Sequence, residues 1–374
     1  MRLLIVSDSF LPRWDGVSRF LSLIIPALSE EFQVTVIAPR YKGTTPSYKN
    51  VDLELVPTYE FKVGDYPPPK PAFKKVKQLV NKSDIIWCQT LGLLGGHAIK
   101  YAKKKGKKVV AYTHSVEWEL FPKGFSRSSF IERTSKKFIR DYVRNRYNRC
   151  DLLMVPSLEF KRVLKSKGIT TRMKVVPMGI DTRSFKPAKS RRNAKRNVGI
   201  DPNKTIIGYV GRIGKEKDLP TLHEAFMILK KKFPEIILMI VGEGSRKEEQ
   251  RLYGEDIMKL GRIDNVIPYL QAMDVYVLPS LTETSSLSTM EAMACGLPVV
   301  TTKAGSLAKY IKSGVNGYHF PMQDAEALYR ILASLIDNPK HAKEVGKAAR
   351  KKIMQSFKWK DTEKKIIGII KGLS

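Results

Sequence analysis

Leu281-Thr-Glu-Thr-Ser-Ser-Leu-Ser-Thr-Met-Glu-Ala-Met-Ala-Cys-Gly-Leu-Pro-Val-Val300 reads as loop, helix, stop and strand. Val275-Tyr-Val-Leu-Pro279, just before it, has the apolar, β-branched pattern of a buried strand. Ser285 or Ser286 can cap a helix that opens near Leu287. Gly296 falls where a left-handed residue ends a helix, and Pro298 prevents continuation. Glu283 therefore lies in a strand-to-helix loop and Glu291 in the first turns of the helix. In a parallel sheet such a loop stands at the carboxyl end of a strand, where α/β ligands bind. Free amides and the helix dipole at that end favour anions. Carboxylates there accept hydrogen bonds from hydroxyls, so Glu283 suits a sugar and Glu291 a ribose diol.

The same alternation runs through the chain. Strand-like runs are predicted at Leu3–Val6, Val34–Ala38, Ile85–Cys88, Lys108–Tyr112, Leu152–Val155 and Lys174–Val176. A second set follows at Thr205–Val210, Ile236–Val241, Val275–Leu278 and Pro298–Thr302. Helical patterns lie between them, among them Val17–Leu28, Thr221–Lys232 and Asp324–Leu335. Alternation of this kind predicts an α/β protein with parallel sheets. Two sets of similar size predict two doubly wound, Rossmann-like domains. The linker is placed at Pro177-Met-Gly-Ile-Asp-Thr-Arg-Ser-Phe-Lys-Pro187, followed by the charged run Lys189–Arg196. The expected domains are 1–187, 188–356 and a terminal helical segment 357–374.

Val210-Gly-Arg-Ile-Gly-Lys-Glu-Lys-Asp218 follows a strand and leads into a helix. Arg212 offers a rigid donor fork for phosphate oxygens and Lys217 a point charge. Together they can stabilise a departing diphosphate. Pro12-Arg-Trp-Asp-Gly-Val-Ser18 opens the first helix. Gly16 lets backbone approach a diphosphate there, with helix-end amides beside it. Asp15 would be adverse to phosphate, so it caps the helix or faces the acceptor. Tyr112-Thr-His114 ends the fourth of the first set of strands, which places His114 at a ligand-facing edge. The loop around Gly261-Arg-Ile263 could frame a nucleobase. Val241-Gly-Glu-Gly244 lacks the G-x-G-x-x-G spacing and supports no dinucleotide claim.

These pieces resemble the retaining glycosyltransferases of family four, which have the two-Rossmann-domain architecture called GT-B. Glu283, Glu291 and the following Glu-Ala-Met-Ala-Cys-Gly-Leu-Pro-Val-Val are similar to the family's donor-site motif. Arg212 and Lys217 are similar to its Gly-Arg-x-x-x-x-Lys phosphate motif, and Phe357-Lys-Trp-Lys-Asp-Thr362 to its C-terminal signature. The chain departs by carrying Ser286 where many members have Gly, Met178 for an Asn in the hinge, and Asp15 before Gly16. The resemblance implies a donor site of Gly16, Arg212, Lys217, Ile263, Glu283, Ser286, Leu287 and Glu291. It implies His114 and Glu283 as catalytic residues, two domains facing across a cleft, and a last helix returning to the N-terminal domain. It further implies a nucleotide-diphosphate sugar such as UDP-glucose or GDP-mannose as co-substrate, with no cofactor and no metal. A related glycan phosphorylase would need pyridoxal phosphate on a lysine; a sugar-phosphate epimerase is the other rival on this fold.

The net charge of +31 over 374 residues attracts polyanions. It fits nucleic acid, an anionic membrane or phosphorylated substrates, or a lysine-rich surface of the kind thermophiles favour. No aromatic RNA-binding signature or zinc spacing accompanies it, so no nucleic-acid partner is expected. Within 123–149, Arg127, Arg133, Lys136, Lys137, Arg140, Arg144, Arg146 and Arg149 alternate with Phe130, Ile131, Phe138, Ile139, Tyr142 and Val143. That pattern is a basic amphipathic helix: either a domain helix packing its apolar face or an anionic-membrane surface element. It is similar in place to the helix by which lipid glycosyltransferases dock, which implies a lipid acceptor. The three cysteines, Cys88, Cys150 and Cys295, have no paired spacing. With no apolar run long enough to span a bilayer, the expected location is cytoplasmic, peripheral on the inner membrane face.

Overall fold

Two parallel sheets account for the alternation seen in the sequence. The computed structural model describes residues 1–13, 15–61, 67–114 and 129–373, with backbone alone for 129–136. The chain divides into two compact units, Met1–Pro177 with Thr362–Ser374, and Met178–Asp361.

In the first unit the strands are β1 (Arg2–Val6), β2 (Gln33–Pro39), β3 (Val51–Val56), β4 (Ile85–Cys88), β5 (Lys108–Tyr112), β6 (Leu152–Val155) and β7 (Met173–Val175). Their order is β3-β2-β1-β4-β5-β6-β7, and every pairing is parallel. The centre is almost wholly apolar because both faces are covered: β4 and β6 have no exposed residue. The order reverses between β1 and β4, so the loops after these strands diverge at that point. His114 follows β5, the fifth strand rather than the fourth, because Val51–Val56 was not foreseen. Residues 362–374 join this unit through Thr362, whose hydroxyl donates to Pro177 O at 2.8 Å, and through the Lys371–Glu31 ion pair.

The second unit contains β8 (Thr205–Val210), β9 (Ile236–Val241), β10 (Ile257–Lys259), β11 (Val275–Leu278), β12 (Val299–Thr301) and β13 (Tyr318–His319). Their order is β10-β9-β8-β11-β12-β13, again all parallel. The reversal here lies between β8 and β11. Its consequence is direct: the loop carrying Arg212 and Lys217 and the loop carrying Glu283 leave adjacent strands at the switch point. The helix after β11 spans Leu287–Ala294, with Gly296 at φ +73° ending it.

Among the described residues no helix is long and apolar enough to cross a membrane.

Candidate functional site

The loop after β8 is fixed from beneath. Tyr209, fully buried in that strand, donates its hydroxyl to Arg212 O at 2.7 Å. Burial holds this phenol well above its ordinary pKa, so it stays a donor. Beside it, the loop after β9 runs so close that a Cβ on Gly242 would fall 1.9 Å from Gly211 O. Glycine is therefore required there by close backbone approach. The loop then makes a 3-10 turn at Lys215–Lys217, and left-handed Asp218 (φ +49°) leads into the helix Leu219–Lys232.

Two ion pairs emerge from this scaffold. Arg212 pairs with Glu216, and Lys217 with Glu283 across 66 residues of sequence. Arg212 is half exposed, whereas the side chains of Lys217 and Glu283 are only 18% and 10% exposed. A largely desolvated ion pair holds its geometry better than a surface one. Ser280 donates its hydroxyl to the same carboxylate oxygen of Glu283 at 2.9 Å. Leu281 N donates to Glu216 O at 2.9 Å, which ties the two loops together.

The loop after β12 braces the Glu283 loop from behind. Ser306 N donates to Thr284 O at 3.1 Å, and the Tyr310 hydroxyl donates to Ser285 O at 2.8 Å. Gly305, at φ +55°, lies so near that its absent Cβ would stand 1.8 Å from Glu283 O. Ser280, Gly305, Tyr209 and Tyr310 escaped the sequence reading. For Gly305 a signal exists: it follows a buried strand on the ligand-binding edge, as Gly16 and Gly211 do.

Ser286 caps the helix Leu287–Ala294. Its Oγ accepts from Thr289 N at 3.4 Å and bonds Thr289 Oγ1 at 2.8 Å. It does so at φ +50°, a region that favours glycine. Thus a backbone requirement at this position accounts for the frequent Gly of the motif. Leu287 is half-buried against the core, and Glu291, one turn on, is 1% exposed. Ile263 lies apart from this group. It follows β10, two strands from β8, and is half-buried against the core.

In the first unit, Asp15 caps the helix Gly16–Glu31. Its Oδ1 accepts from Val17 N and Ser18 N, each at 2.9 Å, and Arg13 Nε donates to Oδ2 at 2.9 Å. Of the two roles expected for Asp15, the structure gives it the helix cap, where it takes two of the helix-end amides beside Gly16. Among the described residues, nothing lies within 4 Å of where a Cβ on Gly16 would stand. His114 stands at the end of β5 against Phe20 and Tyr112, with ring centroids 5.1 and 4.6 Å away. Burial pushes its imidazole down to about 3, against a small opposing effect of the Asp15 charge, so the ring is neutral.

The described part of the basic segment forms the helix Ser129–Tyr147. Val143 and Tyr147 are buried in the first unit's core, with Ile139 and Tyr142 packed against it. Phe138 is 75% exposed. The helix thus has a core face and, separately, a phenyl ring in solvent. Lys123 and Arg127 lie outside the described residues, as do the side chains of Phe130, Ile131, Arg133 and Lys136.

The sequence pattern of the family described as "Glycosyl transferases group 1" matches residues 190–352, and that of "Glycosyltransferase Family 4" matches residues 14–184. The chain belongs to glycosyltransferase family 4. The glycosyltransferase is 25% identical to the GDP-mannose-dependent alpha-(1-6)-phosphatidylinositol monomannoside mannosyltransferase of Mycolicibacterium smegmatis, over 99% of this chain and 98% of that one. It is 29% identical to the sulfoquinovosyl transferase of Arabidopsis thaliana, over 76% of this chain and 56% of that one. Among solved structures, sucrose-phosphate synthase from Thermosynechococcus elongatus superposes with a TM-score of 0.81 at 19% identity, covering 100% of this chain and 98% of that one. Anabaena HepE in complex with UDP gives 0.79 at 20%, covering all of both chains. These two likenesses are of fold, and the fold is GT-B. The protein is a glycosyltransferase that uses nucleotide sugars.

Proposed function

We propose that this glycosyltransferase is a retaining, metal-independent hexosyltransferase acting on a membrane lipid. The observation that carries the proposal is the Lys217–Glu283 pair at the switch point, beside Arg212. An ion pair of this kind can be exchanged for a ligand carrying both complements. Lys217 and Arg212 would take the diphosphate, and Glu283 would accept hydrogen bonds from the sugar's hydroxyls. Glu291 would hold the ribose, Ser286 and Leu287 the phosphates at the helix start, and Ile263 the base. In the first unit, Gly16 would admit a phosphate group close to the backbone, and His114 would contact a sugar hydroxyl.

The chemistry needs no protein nucleophile. The bond between the anomeric carbon and the diphosphate breaks, and its electron pair leaves on the phosphate oxygen. Arg212 and Lys217 stabilise that charge, the role a metal plays elsewhere. An acceptor hydroxyl bonds to the anomeric carbon on the face just vacated, and its proton passes to a phosphate oxygen.

A lipid acceptor is supported by two things. One relative is named for a phosphatidylinositol monomannoside acceptor. In addition, the exposed Phe138 stands on a helix with Arg140 and Arg144, chemistry suited to an anionic membrane on the cytoplasmic side. The test is incubation with GDP-mannose or UDP-glucose, with and without phosphatidylinositol-containing vesicles. Mass spectrometry and the anomeric proton coupling then identify the product. A lipid product of retained configuration, formed equally in EDTA, is expected; an inverted product or full loss in EDTA would refute the mechanism.

A further inference from the structure

Gln89 follows β4 directly and is 2% exposed. The strand it follows is the neighbour of the one that leads to His114, and its Oε1 lies 2.9 Å from His114 Nε2. Two buried polar atoms of this pair find no partner among the described residues: Gln89 Nε2 and His114 Nδ1. Buried polar atoms are nearly always satisfied, so a pair left open at a ligand-facing strand edge calls for a ligand.

From this contact we infer that Gln89 is a positioning residue that fixes the tautomer of His114 and, with it, forms one element that reads the hydroxyls of a sugar. An amide oxygen beside a ring nitrogen requires that nitrogen to carry the proton. Nε2 is then the donor and Nδ1 a bare acceptor. A polyhydroxyl ligand supplies what both open atoms need: a hydroxyl proton for Nδ1 and a hydroxyl oxygen for Gln89 Nε2. Packing against Phe20 and Tyr112 holds the ring in place, and among the described residues Asp15 is the charged group acting on it. With its oxygen toward the ring, the neutral amide of Gln89 sets the tautomer without charging the ring. A carboxylate at the same place would favour imidazolium and turn Nδ1 into a second donor. The inference deepens the reading of His114 proposed above and rests on His114 contacting a sugar hydroxyl.

The test combines a spectrum and kinetics. In the full-length protein with ¹⁵N-labelled histidine, His114 is assigned by comparison with His114→Ala. Long-range proton–nitrogen correlations should show the Nε2–H form, unchanged over roughly pH 5 to 8. Gln89→Met should give a mixture of tautomers and lower kcat roughly ten- to a hundredfold, the usual effect of losing a partner that orients a histidine. Its affinity for nucleoside diphosphate should not change. Gln89→Glu should keep the tautomer and most turnover at alkaline pH. Its activity should fall as pH drops through a histidine-like pKa, while the parent shows no such step. An Nδ1–H spectrum in a protein that needs His114, or a Gln89→Glu profile identical to the parent's, would overturn the assignment to Gln89. Full activity of His114→Ala would instead overturn the reading of His114 as a sugar contact.

Discussion

Gly305→Ala tests whether the Glu283 loop is held where catalysis needs it. The added Cβ would stand 1.8 Å from Glu283 O and 2.7 Å from its carbonyl carbon, contacts no real Cβ makes. The loop must retreat by about 1 Å, and a misplacement of that size costs on the order of 100-fold in rate. That corresponds to about 2.7 kcal/mol in the barrier. A second effect must be separated from this one. Alanine at φ +55° costs about 1–2 kcal/mol of backbone energy wherever it occurs. Gly314→Ala is the control, because Gly314 also has positive φ (+76°) but its Cβ would meet nothing within 4 Å among the described residues. Both variants should melt earlier by a few degrees. Only Gly305→Ala should lose turnover, measured as sugar transfer at saturating donor. Equal turnover in the two variants would refute the claim that the position of Glu283 is set from behind and matters to the reaction.

Lys217→Ala should cost on the order of 2–4 kcal/mol in kcat/KM, since it removes a leaving-group contact and strands the Glu283 carboxylate; steady-state kinetics with the active donor would show it. Phe138→Ser should change thermal stability by less than about 0.5 kcal/mol, whereas Val143→Ser, which cuts into the core, should cost several kcal/mol. Replacing Arg140 and Arg144 with Ser should weaken flotation with anionic liposomes by about 1 kcal/mol per charge and leave the melting temperature alone. Ser286→Gly should stabilise the protein by roughly 0.5–1 kcal/mol, because relief of the left-handed backbone outweighs loss of the cap; calorimetric destabilisation would contradict this.

Much of the second unit's site was legible because its signals are local. A buried strand, a cap, a left-handed stop and a proline occur in order within Val275–Val300, and each has a near-unique backbone meaning. Three strands were not legible. Val51-Asp-Leu-Glu-Leu-Val56 is a half-exposed edge whose charges mask its pattern, and β10 and β13 are only three and two residues long. The Lys217–Glu283 pair was also invisible, since no periodicity links residues 66 apart; sheet order alone brings them together. The basic helix shows a different limit. Phe138 and Ile139 are neighbours in sequence but about 100° apart around a helix, so one can be packed while the other is exposed. Reading them as one apolar pair obscured that one is packed and the other exposed.

The membership of residues 362–374 in the first unit has a consequence for biogenesis. The second unit is continuous, Met178–Asp361, and can close its sheet as soon as it has left the ribosome. The first unit cannot be completed in that order. Its seven strands are synthesised early, yet Ile366 and Ile370, both fully buried, arrive only after the whole of the second unit. During that interval the surface they cover is open to water and to other nascent chains. The second unit is in effect an insertion in the first, and the first waits for it. A protein of this connectivity should depend on chaperones during synthesis more than either sheet would alone.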